Sequence, residues 1–338
     1  MPMPLSVLAA IFSAVLAALF VGGLIYGAVY TAQVEARFPP SGRMIETSAG
    51  PLHVIEAGAA EGPALVLVHG ASANALELLS GLEGPLTAAG YRVIAFDRPG
   101  FGASPNFSSS EFSSRDRLAG HAAAAAALID ALELEDPVVI GHSYGGAVVL
   151  RLALDYPDAA GGLVLLGPAT HGDVGPVAWY NHVGATPVLG WAFSRTIIPI
   201  AGPGAAAGGV ESSFAPAPVP EGHLEATGVG LVFRPRTFAA NATDLARVNP
   251  ELLIQQERYG EIAIPVAIIS GEGDETVSTQ GHSVRATAAI EGARLEILPD
   301  VGHMPHHAAP ALIVEQIEAI FESMDAEVVA RAAPGTAS

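Results

Sequence analysis

The chain of 338 residues contains no cysteine, which excludes a disulfide framework, a thiolate metal site and a cysteine nucleophile. It contains no lysine either, so all 15 basic residues are arginine. Schiff-base chemistry and lysine-dependent phosphate loops are thereby ruled out. Against the arginines stand 34 acidic residues, for a net charge of −19. So acidic a chain repels phosphate backbones and anionic headgroups, which argues against nucleic acid as a partner and against electrostatic docking on a membrane. Charge is absent altogether from Leu5 to Tyr30.

That uncharged run of Leu, Ala, Val, Ile, Phe and Gly covers about 39 Å as a helix at about 1.5 Å per residue, more than the ~30 Å hydrocarbon core of a bilayer. A cleaved signal peptide is the rival reading, but the run exceeds the usual apolar segment and no basic region precedes it. A helix buried in a soluble domain would carry a polar stripe. The expectation is a single-pass transmembrane anchor over residues 1–36, with the membrane as partner. Arg37 and Arg43 follow the span, and the positive-inside rule then favours a cytoplasmic catalytic domain. Phe38-Pro39-Pro40-Ser41-Gly42 reads as a stiff linker, because two prolines cannot continue a helix. The anchor is therefore expected to be separable from a domain with its own core beginning near Arg43.

From there, apolar runs of strand length alternate with helical patterns: Leu52 to Glu56, Ala64 to Val68, Tyr91 to Phe96, Pro137 to Ile140, Gly162 to Leu166, Val266 to Ile269 and Arg294 to Leu298. Short, unbroken β-branched runs between helices signal a buried, mostly parallel sheet, hence an α/β fold. Leu118 to Leu132 and Ala147 to Tyr156 read as two of the flanking helices. Between about 168 and 260 the alternation lapses into Pro, Gly and Ala with scattered aromatics, which reads as a cap inserted over the sheet. The core is thus expected in two parts, 37–167 and 261–325, with a disordered tail over 326–338. Two glycosylation sequons, Asn106-Phe107-Ser108 and Asn241-Ala242-Thr243, are no more than chance supplies at this length.

Gly141-His142-Ser143-Tyr144-Gly145-Gly146 directly follows the strand ending at Ile140 and opens a helix, the context a nucleophile elbow requires. The turn forces a strained conformation on Ser143, and Gly141 and Gly145 let neighbouring chains approach closely. A serine hydroxyl needs a base within reach, itself oriented by an acid. His303 sits on the loop leaving the last strand and is the candidate base, with His306 and His307 as rivals that fall where a helix should begin, as surface or N-cap neighbours. Asp274 follows the strand ending at Ile269 and is the candidate acid, ahead of Glu272. Asp97, beside Arg98 and read as structurally paired, and Asp300 are weaker candidates. Two backbone N–H groups are needed where negative charge develops, and those of Ala71 and Tyr144 are the candidate oxyanion hole. His69 is read as shaping the loop.

With these motifs in order, the chain resembles the α/β-hydrolase superfamily, in its branch with a cap after the sixth strand. The matching segments are His69-Gly70 with Asn74, Asp97-Arg98-Pro99-Gly100-Phe101-Gly102 with Ser104, the Ser143 elbow, Gly271-Glu272-Gly273-Asp274, and Gly302-His303. Dehalogenase and epoxide-hydrolase members carry Asp at the nucleophile position, where this chain has Ser143. The family often has Pro a few residues after the acid, and here Val277-Ser278 stands instead.

The function expected is cleavage of a small or medium apolar ester through an acyl-Ser143 intermediate, with no cofactor and no metal. Carbon–carbon bond hydrolysis of a diketone-like substrate by the same residues is the alternative. A non-catalytic binding protein that kept the fold is disfavoured by the intact Ser, Asp, His and oxyanion elements.

Overall fold

The computed structural model describes residues 3–107, 116–173 and 175–332. Eight strands form one sheet: β1 (Arg43–Ile45), β2 (Leu52–Gly58), β3 (Ala64–Val68), β4 (Arg92–Phe96), β5 (Val138–His142), β6 (Gly162–Leu166), β7 (Val266–Gly271) and β8 (Arg294–Leu298). Their order is β1-β2-β4-β3-β5-β6-β7-β8. β2 pairs antiparallel with β1 and β4, and every other pair is parallel. All seven expected strands are present. β1 was not anticipated, because three residues against β2 carry no pattern of their own.

The unbroken apolar strands are explained by cover on both faces. The helices outside the cap are α1 (Leu5–Arg37), α2 (Ala75–Ala88), α3 (Arg117–Ala131) and α4 (Tyr144–Asp155) before it. Leu118, Ala122 and Leu128 of α3 and Val148, Val149 and Leu152 of α4 pack on one side of the sheet. Leu78, Leu82 and Leu86 of α2 pack on the other, with Ile313, Ile317 and Ile320 near the C-terminus.

Between β6 and β7 lie α5 (Trp179–Gly184), α6 (Pro187–Thr196), α7 (Ile198–Phe214), α8 (His223–Ala226) and α9 (Pro235–Gln255). α7 stays helical despite Pro203 and its glycines, because tertiary contact overrides weak propensity. Two buried features fasten this layer to the sheet. Asp244 of α9 meets Arg98 Nη1 at 2.8 Å, Arg117 Nε at 2.6 Å and His121 Nε2 at 3.0 Å, all out of solvent. Burial alone would raise the Asp244 carboxyl, but Arg117, His121 and Arg98 outweigh it and hold the group far below the carboxylate range. Asn241, one of the sequon asparagines, accepts the Ser72 N–H at 2.7 Å and donates to Ser72 Oγ at 3.0 Å. It is buried and offers no glycan site. The other sequon ends at Ser108, outside the described residues.

After the cap come α10 (Ser283–Ala289), α11 (Pro305–Ala308) and α12 (Pro310–Ala332). The tail expected to be disordered from 326 is helical as far as Ala332, and residues 333–338 lie outside the described residues.

α1 corrects the expectation of a detachable anchor. Among the described residues it is the one helix long and apolar enough to cross a membrane, and the chain leaves the helix at Phe38, just before Pro39. Leu5 to Phe20 are exposed, but Gly23, Gly27 and Val34 are buried. A Cβ on Gly27 would overlap the Arg195 carbonyl oxygen, and Gly23 faces the Thr196 side chain. Tyr30 donates its hydroxyl to the Gly230 carbonyl at 2.8 Å, and Arg234 meets Glu35 at 3.1 Å. The helix is thus packed on the cap rather than held off by its linker. Arg37 and Arg43, whose charges favoured a cytoplasmic domain, are each matched by a carboxylate, Glu225 and Glu56.

Glu251 of α9 accepts the backbone N–H groups of Arg117 at 3.0 Å and Leu118 at 2.8 Å. Burial, outweighing those bonds, pushes its carboxyl from 4.5 up to about 7. The folded protein therefore favours the neutral acid: the stability this gives is full below 4.5 and is lost as pH rises through about 7. Glu251→Gln keeps an acceptor without the ionisation. Its melting temperature relative to wild type should rise from about pH 5 to about pH 8 in a thermal denaturation series. A difference that stays flat across that window contradicts a buried neutral Glu251.

Candidate active site

β5 delivers the chain at the carboxyl edge of the sheet, and α4 begins one residue later. Ser143 between them has φ 55° and ψ −118°, a left-handed conformation that non-glycine residues rarely adopt. Its N–H donates to the Leu166 carbonyl at 2.9 Å, and its carbonyl accepts from Gly146 and Ala169 at 3.0 Å each. A Cβ on Gly145 would overlap the Val68 carbonyl oxygen, so this glycine lets α4 close against β3.

His303 leaves β8 through a short loop and Asp274 leaves β7, so both reach the same sheet edge. His303 Nδ1 lies 2.7 Å from Asp274 Oδ2, with both side chains buried. The other carboxylate oxygen accepts the N–H groups of Thr276 at 2.9 Å and Val277 at 2.8 Å. A proline at 277 could not donate, so the departure from the family pattern here adds a bond to the acid. Glu272 and Asp300 are exposed. Asp97 is structural, but its partner is not Arg98: it meets His53 Nδ1 at 2.7 Å and accepts from Ala75 and Ala103.

Ser143, His303, Tyr144 and Ala71 line one cavity of about 690 Å³. The N–H groups of Ala71 and Tyr144 make no backbone hydrogen bond among the described residues. His69, fully buried, accepts the Arg98 N–H on Nε2 at 3.0 Å, and burial lowers its pKa to about 3. It holds a proton poorly and serves as a loop support.

Beneath this site lies a buried charge that no local sequence pattern announces. Glu77 Oε1 lies 2.6 Å from His306 Nε2, and Glu77 Oε2 lies 3.4 Å from His142 Nδ1. His306 is therefore buried rather than a surface neighbour. Burial would raise the Glu77 carboxyl, but His306 and His142 hold it well below the usual range. Burial lowers His306, whereas Glu77 overrides burial to raise His142. Of the two imidazoles His142 is the one that favours the charge, and its Nε2 lies 2.8 Å from the His303 carbonyl. The run Asn74-Ala75-Leu76-Glu77 conceals Glu77: an asparagine N-cap followed three residues later by Glu reads as an exposed capping box.

Residues 65–316 match the model of the alpha/beta hydrolase family. A 2-hydroxy-6-oxo-6-phenylhexa-2,4-dienoate hydrolase from Comamonas testosteroni is 38% identical over 119 residues, 35% of this chain and 40% of that protein. The aligned region thus spans about two fifths of that relative. An esterase from Thermogutta terrifontis superposes with a TM-score of 0.64 at 19% identity, covering 84% of this chain and 99% of its own. An esterase from Exiguobacterium antarcticum does so with a TM-score of 0.58 at 20% identity, covering 84% and 100%. At these identities the superpositions speak to fold alone.

Glu77→Gln removes the counter-charge of the His142 imidazolium in a site closed to solvent. The loss should be about 3 kcal/mol, the scale for breaking a buried pair, read as a lower midpoint in urea denaturation. An unchanged midpoint would mean that His142 is neutral.

Proposed function

The chain belongs to the alpha/beta hydrolase family, and from that premise we propose that it is a serine hydrolase that cleaves a carboxylic ester through an acyl intermediate on Ser143. The observation that carries this reading is the 2.7 Å contact between His303 Nδ1 and Asp274 Oδ2, beside a cavity that Ser143 and His303 share.

In this mechanism Asp274 accepts the Nδ1–H of His303, which leaves Nε2 free to take the Ser143 proton as the hydroxyl attacks the ester carbonyl. The N–H groups of Ala71 and Tyr144 stabilise the oxyanion. Collapse of the tetrahedral intermediate expels the alcohol, which takes its proton from His303. Water then attacks the acyl-serine by the same route, with His303 as base, and releases the acid. The strained Ser143 backbone supports this role, because such conformations persist where the surroundings over-determine them.

The cavity wall also bears on the substrate. Besides the phenols of Tyr144 and Tyr180, its ionisable groups are Glu77, His142, His223, His282 and His303, and no arginine among the described residues lines it. A neutral ester suits that lining. Carbon–carbon bond hydrolysis remains the second reading because of the relatives that act on dienoates, but those substrates are carboxylates and would meet Glu77 with no arginine, the charged His142 being already matched by Glu77.

The same reading keeps residues 1–36 in the mature protein as a membrane anchor, since cleavage would strip Gly23, Gly27 and Val34 from the cap. Mass spectrometry of the natural product checks this, and a mature N-terminus between Ala28 and Ala36 would overturn it.

A fluorophosphonate probe should label the full-length protein covalently and leave Ser143→Ala unlabelled. That variant should fold normally and lose roughly 10⁴-fold or more in ester turnover. Near wild-type turnover in the variant sinks the assignment of the nucleophile, and product analysis across a panel of esters and diketones separates the two readings.

A further inference from the structure

We propose that the outer face of the cap is immersed in the bilayer that α1 crosses, and that a neutral, single-chain ester enters the cavity from the lipid phase across this face. The identity of the ester's reacting bond rests on the hydrolase reading above.

The first observation is one of length. Leu5 to Gly22 are exposed along their whole length, and eighteen helical residues cover about 27 Å, short of the ~30 Å hydrocarbon core. The missing ~3 Å must come from the next turn, which begins at Gly23, already packed on Thr196, while Phe20 at the end of the exposed run lies 6.4 Å from the ring of Trp191. A spanning α1 therefore draws the adjoining part of α6 to the depth of the hydrocarbon boundary.

The surface it draws down is suited to lipid. Val188 is 78% exposed and Trp179 68%, with Leu189, Trp191, Ile197 and Ile200 also open. From Val177 to Phe214 the only charged residues are Arg195 and Glu211. The Arg195 guanidinium lies 4.9 Å from the centre of the Trp191 ring, the arrangement of an arginine and an aromatic at a membrane–water interface. This face is continuous with the exposed flank of α1, which is why we assign it to lipid rather than to a second copy of the chain.

The same elements form the cavity wall. Ala205, Ala206, Gly209 and Val210 of α7 line it from the cap side. Tyr180 both lines the cavity and is 44% exposed, with its ring 6.1 Å from that of Trp179. The rim thus opens on the lipid-facing side. A volume of about 690 Å³ accommodates one ligand of moderate size, and the absence of arginine from the wall disfavours an anionic headgroup.

Trp179 and Trp191 are the only two tryptophans in the chain, so intrinsic fluorescence reads this face alone. Full-length protein in phosphatidylcholine vesicles brominated on the acyl chains should show emission about two-fold lower than in unbrominated vesicles. Unquenched emission from protein that sediments with the vesicles overturns the proposal, and a detergent-stable dimer with shielded tryptophans would name a second copy as the occupant. Val188→Glu combined with Leu189→Glu places two charges on the face, away from the cavity. Hydrolysis of a long-chain monoglyceride in vesicles should fall more than about ten-fold, given the cost of charge in the bilayer, while a water-soluble acetate ester is cleaved at the wild-type rate. If both rates hold or both fall together, this face is not the entry route. Failure of the wild type on every ester would instead refute the hydrolase chemistry and leave the quenching result intact.

Discussion

The guanidinium of Arg98 joins the parts of this protein. Its Nε donates to the His69 carbonyl at 3.1 Å and its Nη2 to the Gly70 carbonyl at 3.0 Å, while Nη1 meets Asp244 of the cap at 2.8 Å. A planar fork with fixed donor directions satisfies these three acceptors at once, which a lysine ammonium could not do with the same rigidity. The loop that presents Ala71 is thereby registered against both the sheet and α9. Asp244 makes the arrangement tolerable in a site with no water contact, because Arg117 and His121 bring further donors to its carboxylate.

The sheet was legible because parallel strands covered on both faces must be apolar without interruption, and Val138–His142 and Gly162–Leu166 are buried along their whole length. The candidate Ser, Asp and His were legible for a related reason: each lies within a few residues of a strand's carboxyl end, so its place at one sheet edge comes with the strand. Partnerships across long stretches of chain were not. Arg98 and Asp244 are separated by 146 positions, and nothing local at either residue names the other. Asp97 was paired with its neighbour on the same ground, when its partner His53 lies on an adjacent strand. α7 escaped notice because glycine and proline suppress helix propensity, and only packing restores it. The seat of α1 on the cap did leave a trace, for Gly23, Gly27 and Thr31 fall at every fourth position of an apolar helix, a small-residue stripe suited to close helix contact.

The cavity combines an apolar wall with a polar floor. Glu77 and His142 form the floor's charged pair, and His142 reaches the backbone of His303. The histidine beside Ser143 thus steadies the His303 loop and balances a buried carboxylate. His303 Nδ1 is engaged by Asp274, and His303 lines the cavity.

The cap is tied to the core at many separated points. Asn241 holds Ser72, Asn74 Nδ2 donates to the Thr227 carbonyl at 2.8 Å, and Arg234 and Arg236 both bond the Gly102 carbonyl. A layer fastened on several sides has no hinge about which to swing, and any shift of α9 would drag the Ala71 loop with it. Passage of substrate and product then falls to individual side chains at the rim, such as Tyr180. Rotamer changes of exposed side chains take picoseconds to nanoseconds, against microseconds to milliseconds for a closing domain. A gate made of side chains at the rim would thus move faster than a closing domain.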